Sequence, residues 1–500
     1  MIIYTYHMSN KNKKIVIIGA GISGLSLAPL LAKEGFDVTV VDNNKQPGGV
    51  ANRFQEDGFT FDTGPTWYLM PEIFDRYFSL FGKKSIDYYS LKRLDPSYRV
   101  FFQEDDYIDI RNDLEHTKRV FESLEKNGKS RIEEYLARSK YKYNIAIEEF
   151  LYKDYKSIKD FFNRRLVIEG IRLNIFHSLD SYAKKFFKEL RARQILEFNT
   201  VFLGCSPNKT PALYSLMSHV DITEGVYFPK GGIYTLPRSL YLLGREYGVD
   251  YLFETSVKKI VVENKKIIGL KTDKDHIPCD ILASACDYHH TETELLEPEH
   301  RSYTQKYWQK RTLAPTAFLI FLGLNNKIKN IAHHNLYLSS DWDRYFQEIF
   351  DRPVWPTKPC YYVGAPSKSD ESFAPKGKES IFILVPVAPG LPDTETQREA
   401  LSNDVIKHFE KLTGQKIQPN IKLKKIFSHK DYIQKYNLFR GTSMGLAHTL
   451  FQSAVFRPAH KSRKLCNLYY TGHYTHPGIG MPMVIISSQI VSEIISGEQR

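Results

Sequence analysis

Residues 14–42 read KIVIIGAGISGLSLAPLLAKEGFDVTVVD, and their pattern is the clearest indication of the fold class. Its opening run, KIVII, is largely β-branched, which is typical of a strand buried on both faces of a parallel sheet. Three glycines follow at the spacing G-x-G-x-x-G, and a segment of helical length leads to Gly35, a residue type that commonly ends helices. A second strand over residues 36–41 ends at Asp42. The stretch therefore predicts a strand, a helix and a second strand in that order.

Each glycine of this unit has its own physical task. Gly19 permits the tight turn after the strand, Gly21 allows a pyrophosphate to approach the backbone, and Gly24 allows the helix to pack near the strand. The helix N-terminus then faces the phosphates, because its free N–H groups and its dipole favour an anion. Asp42 lies where an acidic residue accepts hydrogen bonds from ribose hydroxyls. These positions predict a dinucleotide-binding site.

The next segment distinguishes FAD from NAD. Residues 47–53 read PGGVANR, and residues 57–65 read DGFTFDTGP. A second glycine pair, Gly48 and Gly49, directly after the ribose strand and followed by a hairpin, is typical of large flavoproteins. A dehydrogenase that only docks NAD does not need it. We therefore predict FAD as the cofactor.

Composition and charge exclude several other classes. The 500 residues are 42% hydrophobic, which is enough for a large core, and no apolar run reaches the roughly 18 residues of a membrane-spanning helix. Five scattered cysteines without CxxC spacing argue against a disulfide framework or a metal site. The net charge of +12 comes from interleaved basic and acidic residues, and no nucleic-acid motif accompanies it. The N-terminus makes a poor signal peptide, which predicts a cytoplasmic protein.

Elements typical of a nucleotide-binding domain recur at the start, in the middle and near the end of the chain. Residues 96–224 are mostly helical in pattern, and residues 116–193 mix aromatic and lysine side chains. This segment is either a solvated helical subdomain or a surface that rests on a membrane. The recurrence implies a discontinuous domain with a second domain threaded through it. We predict FAD-binding segments at 12–95, 225–290 and 461–500, and substrate-domain segments at 96–224 and 291–460.

Near the end of the chain, as at its start, a loop that contains glycines leads into a helix. Residues 471–495 read TGHYTHPGIGMPMVIISSQIVSEII, a loop followed by an apolar helix with Pro482 in its first turn. A helix dipole directed at the pyrimidine end of a flavin would stabilise the negative charge that follows hydride uptake. The alternative is a C-terminal packing helix with an ordinary loop.

Six ordered blocks resemble the FAD-dependent carotenoid desaturases of the bacterial phytoene desaturase type. They read GAGISGL, GGVANRFQEDGFTFDTGPTWYLMP, YFPKGGIYTLPRSL, ASACDYHHTETELL, GTSMGLAHTLFQSAVFRP and YYTGHYTHPGIGMP. The resemblance implies the α/β fold of amine oxidases, similar to p-hydroxybenzoate hydroxylase. In that fold a Rossmann-like, discontinuous FAD-binding domain carries an inserted substrate domain made of a mixed sheet and helices.

The resemblance also assigns roles to residues. The ADP part of FAD would be held by Gly19, Gly21, Gly24, Asp42, Gly48 and Gly49, with the backbone of Val257 at the adenine. The flavin would be enclosed by Gly64, Pro65, Thr66, Gly472, Gly480, Met481 and Pro482. Two positions depart from the family pattern. Val50 stands where an arginine usually follows the glycine pair, so Arg53 is expected to compensate, and Met483 replaces the last glycine of the C-terminal loop.

Members of this family remove a hydride and a proton from a long isoprenoid such as phytoene or diapophytoene, and flavin N5 takes the hydride. Aromatic faces can stabilise the allylic cation. Trp67, Tyr68 and Met70 follow the flavin loop and are predicted to line the substrate tunnel, with core packing as the alternative. No general base is assigned: His473 and His476 are candidates, with structural hydrogen bonding as the alternative.

Several alternatives stay open at this level. Carotenoid isomerases, ketolases and saturases have similar sequences, and an amine or protoporphyrinogen oxidase or a non-catalytic escort of prenylated proteins would share the fold. The resemblance suggests oxygen or a membrane quinone as the electron acceptor. An insoluble substrate also favours peripheral contact with the inner face of the cytoplasmic membrane. Substrate length and the number of desaturation steps are not encoded in any motif.

Overall fold

The computed structural model describes residues 13–155 and 173–499. Part of the aromatic and lysine-rich segment 116–193 lies outside these ranges. The strands in chain order are β1 (Lys14–Ile18), β2 (Asp37–Val41), β3 (Arg53–Glu56), β4 (Phe59–Asp62), β5 (Leu91–Arg93), β6 (Tyr98–Gln103), β7 (Asp106–Ile110), β8 (Tyr227–Pro229), β9 (Asp250–Leu252), β10 (Val257–Glu263), β11 (Lys266–Thr272), β12 (His276–Pro278), β13 (Ile281–Ser284), β14 (Thr316–Leu324), β15 (His334–Tyr337), β16 (Tyr361–Gly364), β17 (Glu379–Val387), β18 (Ile421–Phe427) and β19 (Leu468–Tyr470).

The longer helices frame these strands. Those of eight residues or more within the described ranges are α1 (Ile22–Lys33), α2 (Pro71–Ser79), α3 (Leu114–Leu124), α4 (Gly128–Ile145), α5 (Leu179–Phe186), α6 (Leu190–Glu197), α7 (Thr235–Glu246), α8 (Trp342–Phe350), α9 (Glu395–Thr413), α10 (His429–Tyr436) and α11 (Met481–Gln499). None of the helices described here is long and apolar enough to cross a membrane.

The first sheet is parallel and is assembled from distant parts of the chain. Its strand order is β19-β13-β1-β2-β9, so it combines the start, the middle and the end of the sequence. The β-branched residues of β1 are almost fully buried, because Ile15 and Ile17 pack in one core with α1, α7 and α11 while Val16 and Ile18 pack in a second cluster with β10 and β11. This confirms the predicted Rossmann-like, discontinuous sheet. The exact segment boundaries stay predictions.

The second sheet is mixed and has seven strands in the order β18-β14-β17-β16-β15-β6-β7. Strand β15 pairs in parallel with β6, and the other pairs are antiparallel. Along β14 successive side chains point to opposite faces. Phe318 and Ile320 pack with α9 on one face, and Leu319 and Phe321 pack into an aromatic cluster on the other.

One part of the chain differs from the sequence prediction. Residues 96–224 were expected to be mostly helical, but β6 and β7 form a hairpin at one edge of the second sheet. Each strand is short, and only β6 carries an apolar run, so the local signal is weak. The helices that follow, α3 to α6, pack on the aromatic cluster through residues such as Tyr135 and Phe186. The hairpin therefore links the helical segment to the second sheet.

Candidate functional site

A cavity of about 920 Å³ extends from the parallel sheet to one face of the second sheet. At one end it is lined by residues at the carboxyl ends of parallel strands, including Ile18, Val41 and Ser284. This edge is where open α/β sheets bind their ligands. At the other end it is lined by Leu319 and Tyr362 of the second sheet. The volume lies near the upper end of the usual range for small-molecule sites, about 300–1,000 Å³.

The glycines after β1 divide into two groups. Gly21 lines the cavity, and a Cβ atom built on it would meet no atom within 4 Å, so its side of the turn is open space. A Cβ on Gly24 would overlap the carbonyl oxygen of Gly19, so Gly24 serves the contact between α1 and the turn. Gly19 itself has a φ of +103°, which favours glycine. Gly21 is therefore the glycine of this turn whose backbone is exposed to the cavity.

Asp42 is hydrogen-bonded to the glycine turn that follows β1. Its Oδ2 accepts a hydrogen bond from the backbone N–H of Ala20 at 2.7 Å, and its Oδ1 accepts one from the backbone N–H of Asn44 at 2.7 Å. The carboxylate is buried and lines the cavity. It thus fixes the glycine turn against β2. Its predicted contact with a ribose stays a prediction.

The second glycine pair lies directly against the first. The N–H of Gly48 donates to the carbonyl oxygen of Ala20 at 2.8 Å, and a Cβ on Gly49 would lie 3.0 Å from the Cα of Gly21. Four further residues predicted to contact the cofactor also line this part of the cavity: Gly64, Pro65, Thr66 and Val257.

The Arg53 side chain is directed away from the residues that are predicted to contact the cofactor. Its guanidinium donates to the carbonyl oxygen of Gly231, and its Nε lies 3.5 Å from Oδ1 of Asp62. Burial raises the pKa of Asp62 to about 6, and Arg53 opposes that shift. Arg53 is not among the described residues that line the cavity. This corrects the expectation that it compensates for Val50, which does line the cavity.

The C-terminal loop forms another wall. Gly472, His473, Gly480, Met481 and Pro482 line the cavity, and α11 begins at Met481. The hydroxyl of Ser487 on α11 accepts a hydrogen bond from the N–H of Gly472 at 3.0 Å. The loop is thereby tied to the helix that follows it. Met483, the departure from the family pattern, also lines the cavity.

The two histidines of this loop have different surroundings. His473 lines the cavity, burial lowers its pKa to about 4, and its Nε2 has no hydrogen-bond partner in the described residues. His476 is not among the lining residues described here; its Nε2 lies 3.1 Å from the carbonyl oxygen of Phe150. Burial lowers the pKa of His476 to about 3. Of the two candidates for the base, the structure therefore brings only His473 to the cavity.

The end of the cavity at the second sheet is aromatic. The ring of Trp67 stacks on the imidazole of His334 with centroids 4.8 Å apart, and Phe198 and Phe202 pack beside it at 5.9 and 5.2 Å. Trp67 and Met70 line the cavity, and their contact with a substrate stays a prediction.

Tyr68 belongs to the core instead. It is fully buried against Phe74, with centroids 4.4 Å apart, and its hydroxyl lies 2.7 Å from that of Tyr89. It is not among the described lining residues, which corrects its placement in the tunnel. Neighbouring side chains of an extended segment point in opposite directions, so Trp67 and Tyr68 separate.

Sequence reasoning missed a polar pair in this wall. The Tyr362 hydroxyl lies 2.7 Å from Nδ1 of His334, and Tyr362 lines the cavity. His334 is fully buried, and its burial holds its pKa well below the usual value. The two residues lie on the paired strands β15 and β16, 28 positions apart. No local motif joins them, so only the strand register brings them together.

The comparisons with known proteins agree with this geometry. Residues 22–496 match the family model of the flavin containing amine oxidoreductases. The chain belongs to the flavin-containing amine oxidoreductase family. Cyclohexylamine oxidase from Brevibacterium oxydans has the same fold, with a TM-score of 0.61 at 12% identity over 97% of this chain and 99% of that one. An oxidoreductase from Methanosarcina mazei has a TM-score of 0.61 at 16% identity over 96% and 100%.

Full-length relatives define the branch of this family. A carotenoid 3,4-desaturase of Haloarcula japonica is 40% identical over 96% of this chain and 97% of that protein. A zeta-carotene-forming phytoene desaturase of Myxococcus xanthus is 31% identical over 97% and 94%. A 4,4'-diapophytoene desaturase of Staphylococcus aureus is 31% identical over 97% and 99%. The chain is therefore a flavin-family oxidoreductase homologous to carotenoid desaturases, as the sequence blocks predicted.

Gly21→Val is expected to yield a folded, colourless protein. The new side chain would meet no protein atom near its Cβ, but it would occupy the space predicted for the pyrophosphate. The measurement is the flavin absorbance per purified chain, together with the melting temperature. Gly497→Val is the matched control, because a Cβ there also meets nothing within 4 Å and Gly497 is not among the described lining residues. Bound flavin in the Gly21→Val protein would contradict this placement of the site.

Proposed function

We propose that this protein is an FAD-dependent carotenoid desaturase that introduces a double bond into a long acyclic isoprenoid. The observation that carries the proposal is the shared cavity: the glycine turn of a dinucleotide site and an aromatic, apolar channel open into the same space. The 40% identity to a carotenoid 3,4-desaturase favours the 3,4 bond of an already conjugated chain as the position of reaction. The phytoene and diapophytoene desaturases, at 31%, support the same chemistry on earlier substrates.

The residues present fit FAD. The space beside Gly21 is open, and the glycine pair at 48–49 lies next to it. The C-terminal loop also lines the cavity, and α11 begins in that loop at Met481, so its N-terminus is available to an electron-rich group. The ADP part would lie against Gly19, Gly21, Asp42, Gly48, Gly49 and Val257, and the flavin against Gly64, Pro65, Thr66, Gly472, Gly480, Met481 and Pro482. When bound, FAD supplies the hydride acceptor that no side chain can provide. Oxygen or a quinone would then take the electrons.

The aromatic wall positions the substrate and excludes water. An apolar chain in the channel would lie against Trp67, Phe198, Phe202 and Tyr362, which contact one another through their rings. The negative faces of such rings stabilise positive charge on a neighbouring carbon by about 0.5–2 kcal/mol each. Fixed contacts along a long chain also hold one C–H bond near the acceptor. The wall therefore supports both the orientation and the charge that hydride loss requires.

Tyr362 is the proposed proton acceptor. When the C–H bond breaks, its electron pair forms the new double bond, and the proton passes to the Tyr362 oxygen while the original hydroxyl proton moves to Nδ1 of His334. The 2.7 Å contact between the two residues provides this route. His334 is neutral, since burial depresses its pKa, so its ring nitrogen is free to accept. A weak base suffices, because an allylic cation is a very strong acid. His473 is the second candidate, because it also lines the cavity.

Membrane contact is part of the proposal, because the substrate is insoluble in water. The side chains of Phe451 and Phe456 are 70% and 39% exposed, and their rings pack together at 5.7 Å. Only two residues separate Phe451 from His448, which lines the cavity. Exposed aromatics beside a cavity are typical of a surface that rests on lipid. We propose that this pair touches the inner face of the cytoplasmic membrane.

The pigment of three bacterial hosts tests the reaction. One host makes phytoene, one makes 4,4'-diapophytoene, and one makes lycopene, an acyclic carotenoid that is already conjugated. We expect the protein to shift the lycopene bands to longer wavelength and to produce a pigment that has lost two hydrogen atoms per new double bond. Absorption spectra with mass spectrometry make the measurement.

The other outcomes are equally specific. Colour in the phytoene or diapophytoene host would place the reaction earlier in chain extension. An unchanged mass, a gain of hydrogen or a gain of oxygen would indicate an isomerase, a saturase or a ketolase. A flavin-containing protein that leaves all three pigments unchanged would contradict carotenoid desaturation.

Tyr362→Phe is expected to lower kcat by roughly 10²-fold, the usual size of a lost acid–base contribution, with KM and flavin content unchanged. The ring remains, so the wall keeps its shape, but the hydroxyl that contacts His334 is gone. Turnover is measured with substrate incorporated in liposomes. Tyr77→Phe is the control, because that buried hydroxyl also makes a 2.7 Å hydrogen bond, to the carbonyl oxygen of Ser26, outside the described lining residues. Equal rates for the two variants would exclude Tyr362 as the acceptor.

The double variant Phe451→Ser and Phe456→Ser is expected to cosediment less with phospholipid vesicles, because it removes two exposed aromatic side chains. Flavin content should not change, since neither residue is among those described as lining the cavity. Ile86→Ser provides the control, as Ile86 is 62% exposed but lies in a different part of the chain. Equal vesicle binding by both variants would refute this contact surface.

A further inference from the structure

Arg457 is a buried cation in the sequence block GTSMGLAHTLFQSAVFRP. Its side chain donates only to neutral groups in the described residues. The acceptors are the backbone carbonyl oxygens of Tyr474 and Thr475 at 3.1 Å, Gln452 at 2.9 Å, Leu446 at 3.3 Å and His473 at 2.5 Å. Within the described part of the chain it forms no ion pair with a carboxylate. A buried charge without a counter-ion is costly, so its retention calls for an explanation.

Among the described residues, the side chains whose charges act on Arg457 include no carboxylate. The titratable side chains that face it are Tyr214, Tyr307, Tyr474, His448, His473 and His476. The tyrosines and histidines are neutral, because burial raises the pKa of the former and lowers that of the latter. Burial lowers the pKa of Arg457 itself to about 10, so the guanidinium is charged at neutral pH.

The position of this charge relates it to the cavity. Arg457 lies behind the loop of residues 472–482, whose front lines the cavity through Gly472, His473 and Gly480. A Cβ built on Gly478 would come within 3.1 Å of its Cζ. The positive end of α11, which starts at Met481, contributes to the same wall. A cation and a helix N-terminus therefore converge where the flavin is proposed to bind.

We infer that Arg457 is a positioning residue that supplies a fixed positive charge to this wall and raises the midpoint potential of the bound flavin. The inference rests on the proposed flavin site. Reduction by a hydride adds negative charge to the flavin, and in a site of low dielectric constant a nearby cation stabilises that charge. Hydrogen bonds from the guanidinium also polarise the peptide groups of the loop in the same sense. The negative charge of the reduced flavin would thus serve as the counter-ion of Arg457.

Two substitutions separate charge from hydrogen bonding. Arg457→Gln removes the charge and keeps a donor, whereas Arg457→Lys keeps the charge and loses the fork of donors. The midpoint potential of each flavin-loaded protein is measured by reduction against a reference dye. The affinity for sulfite, which forms a negatively charged flavin adduct, is measured by titration. Arg463→Gln, the same change at an exposed arginine six positions later, is the control.

We expect Arg457→Gln to weaken sulfite binding at least tenfold. The equilibrium constant for two-electron reduction of the flavin should fall by a similar factor, which corresponds to a midpoint potential lower by about 30 mV. Arg457→Lys should stay near the unmodified protein. Equal effects of Gln and Lys, or a potential unchanged by Gln, would show that Arg457 only holds the loops and would overturn the inference.

A measurement on the unmodified protein covers the case in which the variants do not fold. If the wall carries a fixed cation, the reduced flavin stays anionic and takes up one proton with two electrons. The midpoint potential then changes by about 30 mV per pH unit between about pH 8 and about pH 5, a tenfold change in the reduction equilibrium constant. Twice that slope in the acidic part of the range would overturn the inference. Failure to bind flavin at all would instead contradict the proposed function, so the two failures are distinguishable.

Discussion

Close contact between backbone segments holds the parallel sheet and the cavity together. The turn after β1, the glycine pair at 48–49 and the loop at Gly64 lie against one another, and side chains would be crowded at Gly49 and Gly64, although the space beside Gly21 is open. A Cβ on Gly49 would lie 3.0 Å from the Cα of Gly21, and one on Gly64 would overlap the carbonyl oxygen of Val50. Only glycine permits such an approach. The three segments thus form one wall, from which the chain continues into the second sheet.

The cavity lies between this wall and one face of the second sheet, so it has a glycine-rich surface and an aromatic one. Alternation along β14 directs one set of side chains to α9 and the other to the aromatic cluster, so a single sheet both closes its own core and lines the channel. Burial keeps His334, His448 and His473 neutral, whereas Arg457 stays charged. These histidines therefore add no charge near an apolar substrate, and the cation is proposed to lie at the end where negative charge would develop.

Much of the fold was predictable because its signals are local. The elements β1, α1 and β2 and the terminal helix follow from periodicity and glycine spacing, and the structure contains each of them. The predicted cofactor positions other than Gly24 and Arg53 line one cavity, because glycine motifs specify backbone geometry. Side-chain direction was less predictable. Arg53 and Tyr68 turned away because buried partners, Asp62 and Phe74, lie on the other side.

The nucleotide-binding architecture and the family can be read from the amino-acid sequence, since both depend on residue types at fixed short spacings. Which side chains share the cavity depends on the packing of the folded chain. Tyr362 and His334 meet through the register of two antiparallel strands, and Arg457 reaches the C-terminal loop across separate segments of the chain. The physical reason is that a motif constrains the backbone near it, whereas a long-range contact depends on how whole elements pack. The chemistry of this site is therefore specified by packing as much as by motif.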